Sequence, residues 1–330
     1  MKAVLADDLE AIESYRLRDA DRPRIDPDEV LIRVEGCGVG YVDALEALGR
    51  YQVKPALPFS PGHEIAGVVE EVGREVSGLS AGTRVIALAH HGFAEYVAAP
   101  ASMAFPMPAA MSFAQGAGFP LNFLTVLHGL RDRGQLAAGE TVLVFGAAGG
   151  VGSAAIQVAR AMGTRVIAAA STGEKRDYAL ANGADAAIDT HPEGWRDRLK
   201  AACGGAGPNV IFDPVCGPLF EPAFRSLAWG GRHLVVGFVG GPIPALPAHL
   251  SLLKGAALCG VDVRQYMLFE QHRLRDDFRQ LLGWAAHGGI KPPVGEIFKL
   301  EEFADALNLA LSGKARGKIV LQVAASPATA

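Results

Sequence analysis

The sequence is short of several features that would direct it elsewhere. Its 330 residues hold four cysteines, Cys37, Cys203, Cys216 and Cys259, with no C-x-x-C pair among them. That spacing excludes a four-cysteine structural zinc site. Scattered thiols fit a reducing compartment, each acting as a small hydrophobe, so a cytoplasmic location is expected. No apolar run approaches the ~20 residues that cross a bilayer, and no membrane partner is expected. The opening Met-Lys-Ala-Val-Leu-Ala-Asp-Asp reads as a first strand and lacks the apolar core of a secretory leader. Charges are interspersed and sum to −4, leaving no basic stripe for nucleic acid. Neither an internal repeat nor a low-complexity segment is visible.

What the chain has is apolar bulk. Half of it is hydrophobic, enough for more than one core. The first ~110 residues read as β-rich. Between Asp28 and Cys37, Val30, Ile32 and Val34 share one face, with Arg33 and Glu35 on the other. Further strands are expected at Glu64–Val72, Arg84–Leu88 and Phe93–Val97, punctuated by Gly and Pro. This predicts a compact, partly open barrel.

Near residue 112 the character changes. Ser112–Ala117 and Asn122–Arg131 read as helices. Strands are then expected at 141–145, 164–170, 185–188, 208–213 and 231–236, alternating with helices at 151–162, 174–182, 194–202 and 217–227. Alternation of this kind is the doubly wound α/β pattern. Helices at 273–286 and 300–312, a closing strand at 317–323 and a frayed tail from Ala324 complete the reading.

The most informative segment is the strand Thr-Val-Leu-Val-Phe at 141–145, which runs into Gly146-Ala147-Ala148-Gly149-Gly150-Val151-Gly152 and then a helical pattern. Such a turn brings bare backbone N–H groups to a diphosphate, and the positive end of the helix adds to the attraction. Alone, the glycine spacing is weak evidence, since a tight turn packing a helix on a sheet would look the same. The strand before it, the helix after it and the strands that follow favour a dinucleotide. In NAD-specific folds an acid some 20 residues on grips the ribose 2′-hydroxyl. Here the second strand ends Ala168-Ala169-Ala170-Ser171-Thr172-Gly173 with no acid. Ser171 and Thr172 offer hydroxyls, with Lys175 and Arg176 close behind, which suits a 2′-phosphate. The competing reading makes the two cations a solvated helix start. The expected cofactor is NADPH.

At this point the chain resembles the medium-chain dehydrogenase/reductases. Gly38-Val39-x-x-x-Asp43, Tyr51-Gln-Val-Lys-Pro, Pro61-Gly62-x-Glu64-x-Ala66-Gly67-Val68-Val69, the 146–152 loop, Asp213-Pro-Val and Gly237-Phe238 are together similar to its zinc-independent quinone oxidoreductase, or zeta-crystallin-like, branch. The resemblance spans essentially the whole chain. It implies an α/β fold of a GroES-like β-rich domain, residues 1–120 and 266–330, and a Rossmann domain, residues 121–265. It also implies a homodimer joined through edge strands of the Rossmann sheets.

The sister zinc alcohol dehydrogenases ligate their metal through a Cys at the position of Gly40, a His at that of His63 and a second Cys near Leu121. Only His63 is present here, and one imidazole does not make a site needing three protein ligands. His63 reads as a vestige or a packed, hydrogen-bonded histidine, and His90 and His91 as loop residues. No metal is expected. Hydride transfer without a Lewis acid requires an acceptor that is already electron-poor, so a quinone or an α,β-unsaturated carbonyl is the expected small-molecule partner.

The resemblance also assigns residues. Tyr51 falls where relatives carry a tyrosine near the nicotinamide, able to deliver a proton; an aromatic on the barrel surface is the alternative. Tyr41 is a second candidate. Relatives carry Asn where this chain has Gly40, which leaves more room above the nicotinamide. Thr125 matches a helix-start position beside the nicotinamide ribose. Phe238 and Val239 end a strand at the switch point, where they would pack on the nicotinamide. Thr190 replaces a tyrosine near the adenosine phosphate. Lys318 opens the last strand, where it would reach a cofactor phosphate or lie on the surface. The alternatives to a reductase are an NADPH-binding protein with little turnover, acting structurally or as a redox sensor, and a zinc alcohol dehydrogenase.

Overall fold

Eleven residues, Glu29–Val39, form the strand around which the first part of the protein is built in this computed structural model, which describes residues 1–323. The tail from Ala324 lies outside the described residues. The strand pairs antiparallel with Glu64–Val72, with Tyr96–Pro100 through its first half and with Lys318–Gln322 through its second. Arg84–Leu88 and Ala104–Pro106 extend the sheet on one side, and Val294–Lys299, parallel to Lys318–Gln322, on the other. The sheet thus branches at its longest strand, which has partners along both edges. Val30, Ile32 and Val34 all enter one buried cluster, each stabilising the fold by roughly 1.5–3 kcal/mol. A two-stranded ribbon, Lys2–Leu5 with Arg16–Asp19, lies beside it.

The chain divides into two units. One is Met1–Leu121 with the described residues from Pro292; the other is Asn122–Lys291. The second unit carries a six-stranded, wholly parallel sheet in the order Ala186–Ile188, Arg165–Ala169, Thr141–Phe145, Val210–Asp213, Arg232–Val235, Ala257–Gly260. Numbered along the chain this is 3-2-1-4-5-6, the doubly wound order, with its switch point between the Thr141–Phe145 and Val210–Asp213 strands.

The return to the first unit falls at Pro292 rather than at 266. Hydrogen bonds explain the difference. Arg131 reaches Asp277 at 2.7 Å, Tyr266 donates to the same carboxylate, and Arg273 reaches Asp132 at 2.8 Å. Gln157 clasps the backbone of Lys291 with two bonds, at 2.9 and 2.6 Å. The Val263–Phe269 and Leu274–Ala286 helices are thereby held to the second unit.

Candidate active site

The turn after Thr141–Phe145 is built by backbone constraint. Gly146 takes φ +58°, a left-handed conformation that favours glycine, and its carbonyl accepts the Gly149 N–H at 3.0 Å. Gly152 lies so close beneath the turn that a Cβ there would sit 2.1 Å from Gly146 O. The Gly150–Ala161 helix starts at once, its apolar side packed on the sheet. Gly146, Gly149, Gly150 and Val151 are partly exposed, while Ala148 is buried. A half-open turn feeding a twelve-residue helix N-terminus could hold a diphosphate.

Across the switch point, Asp213 fixes the facing loop. One carboxylate oxygen accepts from Val215 and Cys216 N–H at 2.9 and 2.8 Å, and the other meets His233 Nε2 at 3.0 Å, both residues being buried. Pro214 and Val215 thereby stand against Gly146. Phe238 and Val239 lie beyond the strand, which ends at Val235, in a turn whose Val239 and Gly240 N–H groups reach Pro214 and Val215 carbonyls at 3.4 and 2.8 Å. Both side chains are exposed.

At the tip of the second strand, Ser171 is exposed and the Thr172 hydroxyl caps the next helix by accepting the Lys175 N–H at 3.2 Å. Arg176 bends back to the Ala170 carbonyl at 3.2 Å, so its guanidinium is held at the strand tip. The sequence places that arginine within a turn of Ser171, but its return to the tip depends on a backbone contact that no motif specifies. Thr190 is half-buried just past the Ala186–Ile188 strand. Thr125 is half-buried within the Pro120–Leu127 helix, not at its start, because that helix begins earlier than the pattern suggested.

In the first unit the structure gathers an acidic cluster. Gly40 precedes the short Tyr41–Ala47 helix, and Asp43 ties the segment together by accepting Gly40 N–H at 2.7 Å and Gly62 N–H at 3.2 Å. Tyr41 and Tyr51 are half-buried, the latter in an irregular segment. His63 Nε2 bonds Glu46, and the His90 ring meets His63 edge to face at 5.4 Å, so His90 joins this cluster although it is a loop residue. Lys318 is not a surface residue: it is buried, its Nζ 2.6 Å from Glu64 Oε1. Glu64 Oε2 accepts Leu121 N–H at 2.9 Å.

Burial opposes charge on His63, but the bond to Glu46 and the charges of Asp43, Glu46 and Glu64 outweigh it, and its pKa is pushed up to about 9. Folding therefore favours the proton. The resulting stability is complete below the ordinary histidine value of 6.5, declines as the pH rises and is lost above about 9. Unfolding midpoints measured across that window should fall with pH, and His63→Gln should flatten the slope.

These residues do not fit a zinc ion. His63 is committed to Glu46 as an imidazolium. Cys37 is a buried thiol, held well above the usual range by burial and by Asp43 and Glu64. Position 40 has no side chain, and no group of three or more His, Cys, Asp or Glu side chains that could hold a metal ion occurs among the described residues.

A β-rich unit carrying a P-G-H-E turn, with a doubly wound nucleotide-type unit, defines a dehydrogenase/reductase. The family described as "Zinc-binding dehydrogenase" matches residues 150–287, and "Alcohol dehydrogenase GroES-like domain" matches residues 26–109. The "Quinone oxidoreductase-like protein 2" of Rattus norvegicus is 37% identical over 306 residues, covering 92% of this chain and 87% of the relative. The "Quinone oxidoreductase" of Sus scrofa is 33% identical over 306 residues, covering 89% of each. The crystallised quinone oxidoreductase of Thermus thermophilus, solved also as its complex with NADPH, superimposes with a TM-score of 0.85 at 34% identity over 98% of this chain and 100% of that one. The chain belongs to the quinone oxidoreductase family of the medium-chain dehydrogenase/reductase superfamily.

Proposed function

We propose that the protein is an NADPH-dependent, metal-independent reductase that passes hydride to a quinone or an α,β-unsaturated carbonyl compound. The observation that carries this reading is the tip of the second Rossmann strand, which ends Ala168-Ala169-Ala170-Ser171 with no acid and is followed by Lys175 and by Arg176, whose guanidinium returns to the tip. A 2′-hydroxyl calls for a carboxylate there; a 2′-phosphate calls for hydroxyls and cations. The NADPH in the Thermus relative supports the same cofactor. NADPH gives up hydride from C4, the acceptor gains two electrons, and one proton from water or a tyrosine completes a hydroquinone or a saturated carbonyl compound. Tyr51, with Tyr41 as the second candidate, is the proposed proton donor. The cysteines, all free, support a cytoplasmic location.

The test is NADPH oxidation by purified protein against a panel of quinones and enones, with NADH in parallel. Saturable oxidation that prefers NADPH is expected. Tight NADPH binding with no oxidation across the panel would leave a nucleotide-binding protein without this turnover.

We read the assembly as a homodimer. Ala257–Gly260 pairs on one side only among the described residues, with Leu258 exposed, and Leu252 and Leu253 are exposed on the preceding helix. An open strand edge beside apolar side chains favours pairing with a second copy. Leu252→Asp with Leu258→Asp should yield a monomer by light scattering, with the fold retained.

A further inference from the structure

Lys318 reaches its partner through a passage that glycines keep open. A Cβ on Gly118 would lie 2.7 Å from Lys318 Cγ, and one on Gly38 would lie 2.9 Å from Lys318 Cε and 2.3 Å from Ala117 O. These are closer than side-chain carbons pack. A Cβ on Gly40 would lie 3.4 Å from Lys318 Nζ and 3.3 Å from Asp43 Oδ2, with no other heavy atom of the described residues outside its immediate neighbours within 4 Å. Backbone does not demand glycine at two of these points: Gly40 is extended at φ −122°, ψ 170°, and Gly118 has φ −94°, ψ 5°. Space accounts for them. The passage leads the ammonium to Glu64 and leaves it beside a notch at Gly40, which is partly exposed.

A buried ion pair adds little stability, because desolvation offsets the attraction. Burial disfavours the Lys318 ammonium, yet Glu64 and Asp43 hold its pKa above the ordinary lysine value, so the charge persists at neutral pH. An ammonium has three N–H groups, and the contact that holds this one is the ion pair with Glu64 Oε1 at 2.6 Å. Both Asp43 oxygens already accept backbone N–H groups. A ligand oxygen in the notch would meet a cationic donor and a carboxylate that can accept from a hydroxyl.

We propose that Lys318 is a catalytic residue of the reduction, its ammonium hydrogen-bonding the acceptor's carbonyl oxygen seated in the notch at Gly40. This rests on the reductase reading above. Hydride addition delivers two electrons, and the oxygen becomes an enolate or phenolate. Lys318 keeps its proton and holds the negative charge by a charge-assisted bond. The donor proposed above, Tyr51 or water, then supplies the proton, and a hydroquinone hydroxyl formed in the notch can donate to Asp43.

A nitrophenol tests the claim apart from turnover, since its phenolate resembles the reduced acceptor and is seen by absorption. The wild-type protein should bind it with its pKa lowered by about one unit or more. Gly40→Ala fills the notch while leaving the ion pair intact, and should weaken phenolate binding about tenfold. Lys318→Met strands Glu64, so the neutral pair Lys318→Met/Glu64→Gln is used beside it. That pair should abolish the phenol shift and lower kcat about 100-fold, with NADPH affinity unchanged. An unshifted phenol pKa in the wild type, or an equal shift in all variants, overturns the proposal. Loss of NADPH affinity in the Lys318 variants with phenolate binding intact also overturns it, assigning Lys318 to the cofactor. A shifted phenol with no oxidation of NADPH across the acceptor panel removes the reduction, and with it the catalytic role, while leaving an oxyanion site.

Discussion

Replacing Gly152 with alanine is expected to abolish measurable NADPH binding. The new methyl would stand 2.1 Å from Gly146 O and 2.7 Å from its carbonyl carbon, and both obstacles are backbone. No side-chain rotation relieves such a clash, so the turn must open. Overpacking of this kind costs about 1–3 kcal/mol of stability. The loss of binding exceeds that, since the amides that face the diphosphate are displaced together. Gly149→Ala is the control: its Cβ would meet Gly146 O at 3.5 Å, an ordinary contact, and affinity should fall only slightly. Calorimetry with NADPH, beside circular dichroism to confirm folding, distinguishes the two. Gly152→Ala binding like the wild type would remove the 146–152 bend from the nucleotide site.

The second large effect concerns cofactor choice. Removing both cations, Lys175→Ala with Arg176→Ala, should raise the Michaelis constant for NADPH by roughly 10–100-fold and leave that for NADH nearly unchanged. The magnitude follows from charge-assisted hydrogen bonds worth about 1.5–3 kcal/mol, reduced by partial exposure. Arg176 is expected to carry the larger share, because its guanidinium is already tied to the Ala170 carbonyl at 3.2 Å and less freedom is lost on binding. Equal losses for both cofactors would take these residues off the 2′-phosphate.

Much of this was legible in the chain because the deciding interactions are local. Thr141–Phe145 announces itself as a buried strand by its unbroken apolar run, and Gly146–Gly152 by its spacing. The Val151, Ala155, Val158, Ala159, Met162 stripe marks the helix that follows; the middle three are buried, and Val151 and Met162, at its two ends, are half-buried. Other elements gave weak signals. Ala257–Gly260 reads Ala-Leu-Cys-Gly, which has no period and in the structure is largely exposed. Val294–Lys299 is interrupted by Gly295 and half exposed. The Tyr41–Ala47 helix starts at a glycine, which offers no side-chain cap, although Asp43 three residues on was a usable sign.

The site divides in the same way. The turn proposed for the diphosphate lies in one segment, and its strand–turn–helix shape could be read. The surroundings of Lys318 could not, because a lysine opening a strand ordinarily points to water. Its burial is set by Glu64, Gly38 and Gly118, which are close in space and distant in sequence. The same holds for the second-unit helices Val263–Phe269 and Leu274–Ala286, whose attachment depends on Arg131, Asp132 and Gln157. His63 was readable as a hydrogen-bonded histidine, but its partner Glu46 lies on a helix that no pattern had marked.

Isotope transfer tests the central claim most directly. NADPH carrying two deuterons at C4 is incubated with the protein and an enone, and the product is analysed by mass spectrometry and NMR. One deuteron on the product's β-carbon, with a matching amount of oxidised cofactor, is the predicted result. An enone recovered without label, or a product whose β-hydrogen comes from water, would contradict it.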